Sequence, residues 1–309
     1  MKKQQLKGSI ILILCSMVWG FAFSAQSNAM NYIQPFTFVF LRSTITCGVL
    51  FAVIPLFRRL SGETGRLSPA ETKAHMVRGA LIGVFLVGAT LLQQVGLVYT
   101  TASKSGFITA LYIVIVPLAG IFFGRRVRGV VWLGVALLLA GLVLLCVQDD
   151  LSVNLGDVLT LLAAFLFSCQ IMLVGRFSAG SDTMLLSAFQ FATCAVVSGV
   201  FAFAFETPRL DGILACWTSI LYVAVFSGAI GYTLQILGQK YTDPTLASIL
   251  MCLEAVFAAL GEWAAQRLGW LPVKHVMLPR EWLGCALMLT ASIVAQLKPR
   301  RRREIHPTA

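Results

Sequence analysis

The sequence predicts an all-α integral membrane protein, with ten transmembrane helices arranged as two inverted five-helix repeats around a central cavity. Three observations predict it. Of 309 residues, 58% are hydrophobic and 12% charged, with a mean hydropathy of +0.84; soluble domains carry roughly 25% charged residues. Ten apolar runs follow one another, most of them near the ~20 residues a helix needs to cross the hydrocarbon core. Segments of the first half also recur, in order, in the second.

The first run, 8–28, follows a basic start, MKKQQLK. Such a start can belong to a signal peptide, but the apolar stretch from Ile10 to Ala25 is longer than a typical signal core. It is read as an uncleaved first span carrying Trp19, Gly20 and Gln26. The second run, 35–57, opens at Pro35 and holds Arg42 seven residues in. The third, 77–99, carries Gly79 and Gly83 at GxxxG spacing, which lets helix backbones approach, and the pair Gln93 and Gln94. The fourth, 103–124, contains Tyr112, Pro117 and a second GxxxG pair, Gly120 and Gly124. A proline inside a helix removes a backbone hydrogen bond, so Pro117 is the hinge candidate. The fifth run, 129–148, ends the first half.

The second half supplies 155–175 with Gln170, 184–205 with Gln190, 213–238 with Tyr232 and Gln235, 244–265 with Glu254 and Glu262, and 281–297. The loop 266–280 is longer than its counterpart and is expected to lie on the outer surface as a partial lid. The organisation is therefore residues 1–150, residues 151–297 and a basic tail, 298–309.

Charge fixes the orientation. With the amino terminus inside, 18 of the 24 Lys and Arg residues fall in inside segments and 5 in outside segments, Arg42 lying within a span. Positive charge collects on the cytoplasmic side of membrane proteins, so both termini are expected in the cytoplasm and the protein in the cell (inner) membrane. The net charge of +11 thus reflects topology and membrane lipid, and nucleic acid is not an expected partner. All eight cysteines sit in apolar runs with no CxxC spacing, the pattern of small buried side chains, and no metal site, cofactor or catalytic residue is expected.

The repetition is specific. Leu92, Gln93, Gly96, Tyr99 and Thr100 match Leu234, Gln235, Gly238, Tyr241 and Thr242 at an offset of 142. WLGVALLL at 132–139 matches WLGCALML at 282–289 at an offset of 150, and Trp19 and Arg42 correspond to Phe167 and Gln190 at 148. Five is odd, so the second unit enters from the opposite face, as in transporters that alternate access. On this pairing Pro117 stands opposite Ala259, which predicts a bend in one half only.

These residues resemble the drug/metabolite transporter superfamily, EamA type. Trp19-Gly20, Pro35 and Arg42, YTTASKSGFITALYIVIVPLAG at 99–120, GDVLTLLAAFLF at 156–167 and YTDPTLASILMCLEAVFAALGEW at 241–263 carry the likeness over roughly residues 8–297. The resemblance implies ten helices, two repeats about a cavity, and export of amino acids, metabolites or small organic compounds. The chain departs from it at FGRRVRG (123–129) and AAQRLG (264–269), where the family's Gly-Glu-Arg ending is lacking. Glu262 also stands where the family more often has an apolar residue, so the resemblance assigns it no role.

An ionised side chain at the bilayer centre costs at least roughly 2.5–3.5 kcal/mol, so residues of this kind should face a partner or a wet cavity. The cavity candidates are Trp19, Arg42, Gln94, Tyr112, Gln170, Tyr232 and Glu254. Arg42 either snorkels, pairs with an acid such as Glu254, or meets a substrate acid. The expected function is a secondary transporter, an exporter of a small metabolite such as an amino acid or related compound, with proton coupling through Glu254. The alternatives are a lipid-modifying membrane enzyme or a channel. His75, His275 and His306 are read as loop or tail residues with no HxxxD or HExxH companion, and the chain has no Walker-type loop. No signal for an oligomeric state is present.

Overall fold

The structure is a computed structural model that describes residues 3–60, 68–146, 153–267 and 277–297, with backbone only at 57, 58, 60, 102, 103, 262, 265 and 266. The side chain of Glu262, residues 268–276 of the expected lid and the basic tail lie outside the described residues. The described elements are helical throughout. In order they are α1 (Lys3–Ala29), α2 (Pro35–Leu60), α3 (Pro69–Tyr99), α4 (Ala102–Thr109), α5 (Tyr112–Phe122), α6 (Gly129–Cys146), α7 (Leu155–Phe177) and α8 (Thr183–Phe205). There follow α9 (Leu210–Ala215), α10 (Trp217–Tyr222), a π-helix (Val223–Gly231), α11 (Tyr232–Gln239), α12 (Pro244–Met251), α13 (Glu254–Arg267) and α14 (Pro279–Gln296). Among the described residues nine stretches are long and apolar enough to cross a membrane. The tenth span, α14, packs along α6, where Gly141 and Gly284 bring the two backbones together.

Polar caps set where these helices begin. Ser68 and Glu71 form a capping box on α3, and Asn154 and Asp157 another on α7; each satisfies backbone N–H groups that a helix start leaves open. The helix that the α3 box opens begins at Pro69, eight residues before the apolar run, because polar first turns are invisible to hydropathy. His75, expected in a loop, is therefore a buried helical residue. Its Nε2 accepts from the Asp182 backbone N–H at 2.9 Å, which leaves Nδ1 to donate to the Glu71 carbonyl at 2.7 Å. The Glu206 carboxylate, at the end of α8, accepts from the Phe36 and Thr37 backbone N–H groups at 2.8 and 2.6 Å and so caps α2 from outside it. Asp157 pairs with Lys104 at 2.7 Å and accepts from Thr100 at 2.8 Å, tying α7 to the α3–α4 turn.

The repeat is visible in contacts as well as in letters. A Cβ on Gly156 would lie 3.0 Å from the Thr100 N and the Tyr99 Cβ. One on Gly8 would meet Thr242, and lie 2.9 Å from both the Gly238 carbonyl and the Tyr241 Cβ. Gly8 and Gly156 are 148 apart, and Tyr99 and Thr100 precede Tyr241 and Thr242 by 142. The same close crossing, possible only without a side chain, is thus built once at each end of the molecule.

The bend expected at Pro117 is placed differently and is not one-sided. The fourth span breaks at Ala110 and Leu111, between α4 and α5, with Pro117 well inside α5. The ninth breaks at Cys252 and Leu253, between α12 and α13, with no proline there. These positions are related by 142, so the break belongs to the repeat and not to the proline. The eighth span differs from its counterpart in the other half: it is π-helical over Val223–Gly231, whereas α3 runs through as a regular helix.

Candidate functional site

The two breaks meet at the middle of the molecule. Tyr112 opens α5 and Glu254 opens α13, and the Tyr112 hydroxyl donates to Glu254 Oε1 at 3.4 Å. Because these residues are separated by the repeat offset, a residue here touches its own counterpart. That requires both to lie beside the axis relating the halves. Both are buried, 4% and 7% exposed. Starting a helix at Glu254 also sets its carboxylate at the partially positive end of the α13 dipole.

A cavity lies at this axis, with about 560 Å³ of empty space that includes open solvent at its mouth. Trp19, Arg42, Tyr112, Gln170, Tyr232 and Glu254 all line it. Gln94 does not. It is fully buried with its amide unpartnered among the described residues, and its neighbour Gln93 lines the cavity instead, donating to Thr109 Oγ1 at 2.9 Å. One residue on a helix is a 100° rotation, and a run apolar on all sides gives no phase to choose between them. Pro117 is buried within α5 and is not a lining residue.

The wall is aromatic and amide-rich. The Trp19 and Tyr232 rings lie 4.8 Å apart, and Tyr232 meets Phe191 edge-on at 5.2 Å. Trp19 Nε1 donates to the Ser227 carbonyl at 3.2 Å, one of three π-helix carbonyls taken up from outside. The others are Ala224, from Thr46 Oγ1 at 2.7 Å, and Gly231, from Cys15 Sγ at 3.2 Å. Gln170 and Gln235 exchange amide hydrogen bonds, both 3.1 Å. Arg42 Nη1 donates to Gln26 Oε1 at 2.9 Å, and its guanidinium lies 5.5 Å from the Phe38 ring centre. Arg42 makes no ion pair with Glu254.

Sequence reasoning missed Phe23, Gln26, Thr109, Ser227, Gln235 and Met251 as lining residues. Helical spacing carried a signal for most of them: Phe23 and Gln26 follow Trp19 by one and two turns, and Gln235 follows Tyr232 by three residues. Thr109 and Met251 precede Tyr112 and Glu254 by three and are themselves repeat partners.

The cavity straddles the axis, lined by the repeat pairs Trp19 and Phe167, Ala22 and Gln170, Phe23 and Ile171, Gln93 and Gln235, Thr109 and Met251, and Tyr112 and Glu254, but it reaches further on one side. It extends toward the end of α1 and the start of α2, where Gln26 and Arg42 stand. On the other side Ile82, Val174, Leu186 and Ile236 pack into a fully buried apolar cluster. The repeat counterparts of those four are Ala224, Gln26, Phe38 and Gln94. The same four positions are thus wholly apolar at one end and half amide at the other, and of the eight residues only Gln26 lines the cavity.

The sequence model of the EamA-like transporter family matches this chain in two stretches, residues 6–147 and 154–296. A protein of Archaeoglobus fulgidus described as an uncharacterized transporter is 27% identical over 301 residues, covering 96% of this chain and 87% of that protein. A crystal structure of another protein superposes with a TM-score of 0.72 over 94% of this chain and 98% of its own, at 20% identity; at that identity the likeness is one of fold.

Proposed function

The chain belongs to the EamA-like transporter family, and from that premise we propose that it is a secondary transporter that exports a small organic metabolite by alternating access. It is a multi-pass membrane protein and a transporter rather than an enzyme. On our reading it sits in the cytoplasmic (inner) membrane with both termini in the cytoplasm, as the 18-to-5 distribution of basic residues favours.

The observation that carries the reading is the contact of Tyr112 with Glu254 in a cavity at the axis between two oppositely oriented units. A site on that axis is equidistant from both faces, so rocking one repeat against the other exposes it to each side in turn. The extension of the cavity toward Gln26 and Arg42, with the apolar cluster on the other side, supports a state with one face sealed. With the termini inside, the sealed face is cytoplasmic and the cavity reaches outward. Glu254 is the proton carrier of this reading: an acid at the axis, held by a neutral hydroxyl and by no cation among the described residues, changes charge without breaking an ion pair.

Export is tested by comparing, without preselection, the metabolites released by cells that contain the protein and cells that lack it. The expected result is one or a few compounds several-fold enriched in the medium of the former. Identical media, or enrichment inside the cells, would overturn export.

A further inference from the structure

We propose that the compound this cavity takes carries a carboxylate, which docks on the guanidinium of Arg42, and a flat apolar body that lies against Trp19 and Tyr232. The inference rests on the transporter reading and names the class of its substrate.

Arg42 is 7% exposed and lines the cavity. Arginine stays protonated in proteins, so this is a fixed positive charge inside the membrane. Nη1 is held by the neutral amide of Gln26, Phe38 offers a ring face, and no carboxylate lies at ion-pair distance among the described residues. The carboxylate lining the cavity, Glu254, is engaged by Tyr112 instead.

The guanidinium has a donor to spare. With Nη1 occupied, Nε and Nη2 have no hydrogen-bond partner among the described residues, and Nε is closed off by the surrounding protein. Nη2 is left to meet an incoming group, and a charge-assisted hydrogen bond to a carboxylate oxygen is roughly twice as strong as one between neutral groups. An ammonium would meet like charge.

Packing does not demand the charge. The repeat counterpart of Arg42 is Gln190, fully buried against α3 beside Gly79 and Gly83. The same place in the fold is filled there by a neutral amide, so the cation is an addition to one half. A buried charge left unpaired is strongly unfavourable, and a partner that arrives and leaves with each cycle relieves it. The Trp19 and Tyr232 rings, 4.8 Å apart on the wall of the same cavity, supply apolar faces for the rest of the molecule.

The test uses four probes with one phenyl body: 3-phenylpropanoate, phenylalanine, 2-phenylethylamine and 3-phenylpropanol. Binding to the purified full-length protein is measured by calorimetry at neutral pH. The expected result is that both carboxylate-bearing probes bind about tenfold or more tighter than the amine and the alcohol, the advantage of a charge-assisted hydrogen bond. Arg42→Gln, which installs the residue of the other repeat, should reduce that difference to under about twofold. The wild-type ranking decides the matter even if the variant fails to fold. Equal or tighter binding of the amine or alcohol, no binding of the carboxylates, or a ranking unchanged in a folded Arg42→Gln protein would overturn the proposal. The metabolite comparison separates the two readings: an exported cation or neutral compound leaves transport standing without the carboxylate, and carboxylate binding without export does the reverse.

Discussion

Tyr112 and Glu254 decide what the buried acid does, because each is the other's main polar partner. A neutral hydroxyl can donate to a carboxylate and can equally sit beside a protonated acid, so the pair tolerates both charge states without rearranging. Glu254→Gln keeps the size and the acceptor oxygen but cannot exchange a proton. In proteoliposomes its transport should lose dependence on an imposed pH gradient, while wild-type transport accelerates with the gradient driving protons inward. An unchanged rate and an unchanged pH profile in the variant would end the coupling proposal. The acid itself was legible in the sequence, since a carboxylate in a membrane-grade run stands out against Ala, Leu and Val. Its partner was legible only through the repeat offset. The choice of Gln93 over Gln94 was not legible at all, for helical phase is read from an amphipathic pattern and α3 is apolar around most of its circumference there.

At the level of elements, apolar runs located the helices, but hydropathy placed their ends where lipid ends and not where the helix ends. The eight residues of α3 before its apolar run, with the buried His75, are the clearest case. The breaks before Tyr112 and Glu254 left no mark in composition, because no glycine or proline stands at either one. The π-helix was equally silent. It puts a backbone carbonyl within reach of the Trp19 indole, and such segments occur frequently at functional sites. Gly231 ends it, and a Cβ there would run into the Trp19 ring. Gly231→Ala should therefore cost about 1–3 kcal/mol, the usual penalty of overpacking. Gly48→Ala in α2 is the control, having nothing within 4 Å of its would-be Cβ; it should be neutral or stabilising by up to ~1 kcal/mol. Thermal unfolding of the two purified variants reads the difference, and equal melting temperatures would show that the indole gives way freely.

For the whole molecule, the duplication was the most legible feature, because a Tyr-Thr pair and a Trp-Leu-Gly triplet recur in order and shared apolar composition does not produce that. What the duplication hid was asymmetry: equivalent positions carry Ile82, Val174, Leu186 and Ile236 at one end, and Ala224, Gln26, Phe38 and Gln94 at the other. Two halves of one ancestry have diverged so that one face closes on an apolar cluster while the other keeps Gln26 on the wall of an open space. On the proposed orientation, with both termini inside, the open side of the cavity faces outward. The residue to probe is Phe23, half-buried on the cavity wall one turn from Trp19. With the termini cytoplasmic, Phe23→Cys should react in intact cells with a membrane-impermeant maleimide, above the background of the eight native cysteines measured in the parent protein. Leu186→Cys, inside the sealed cluster, should stay at that background from the same side. The ordering follows from packing, since a thiol with no solvent contact cannot meet a charged reagent, whereas one on the cavity wall can. Labelling of Phe23→Cys only in inverted vesicles would place the termini outside. Equal labelling of both positions from one face would mean that the apolar cluster does not hold that face shut.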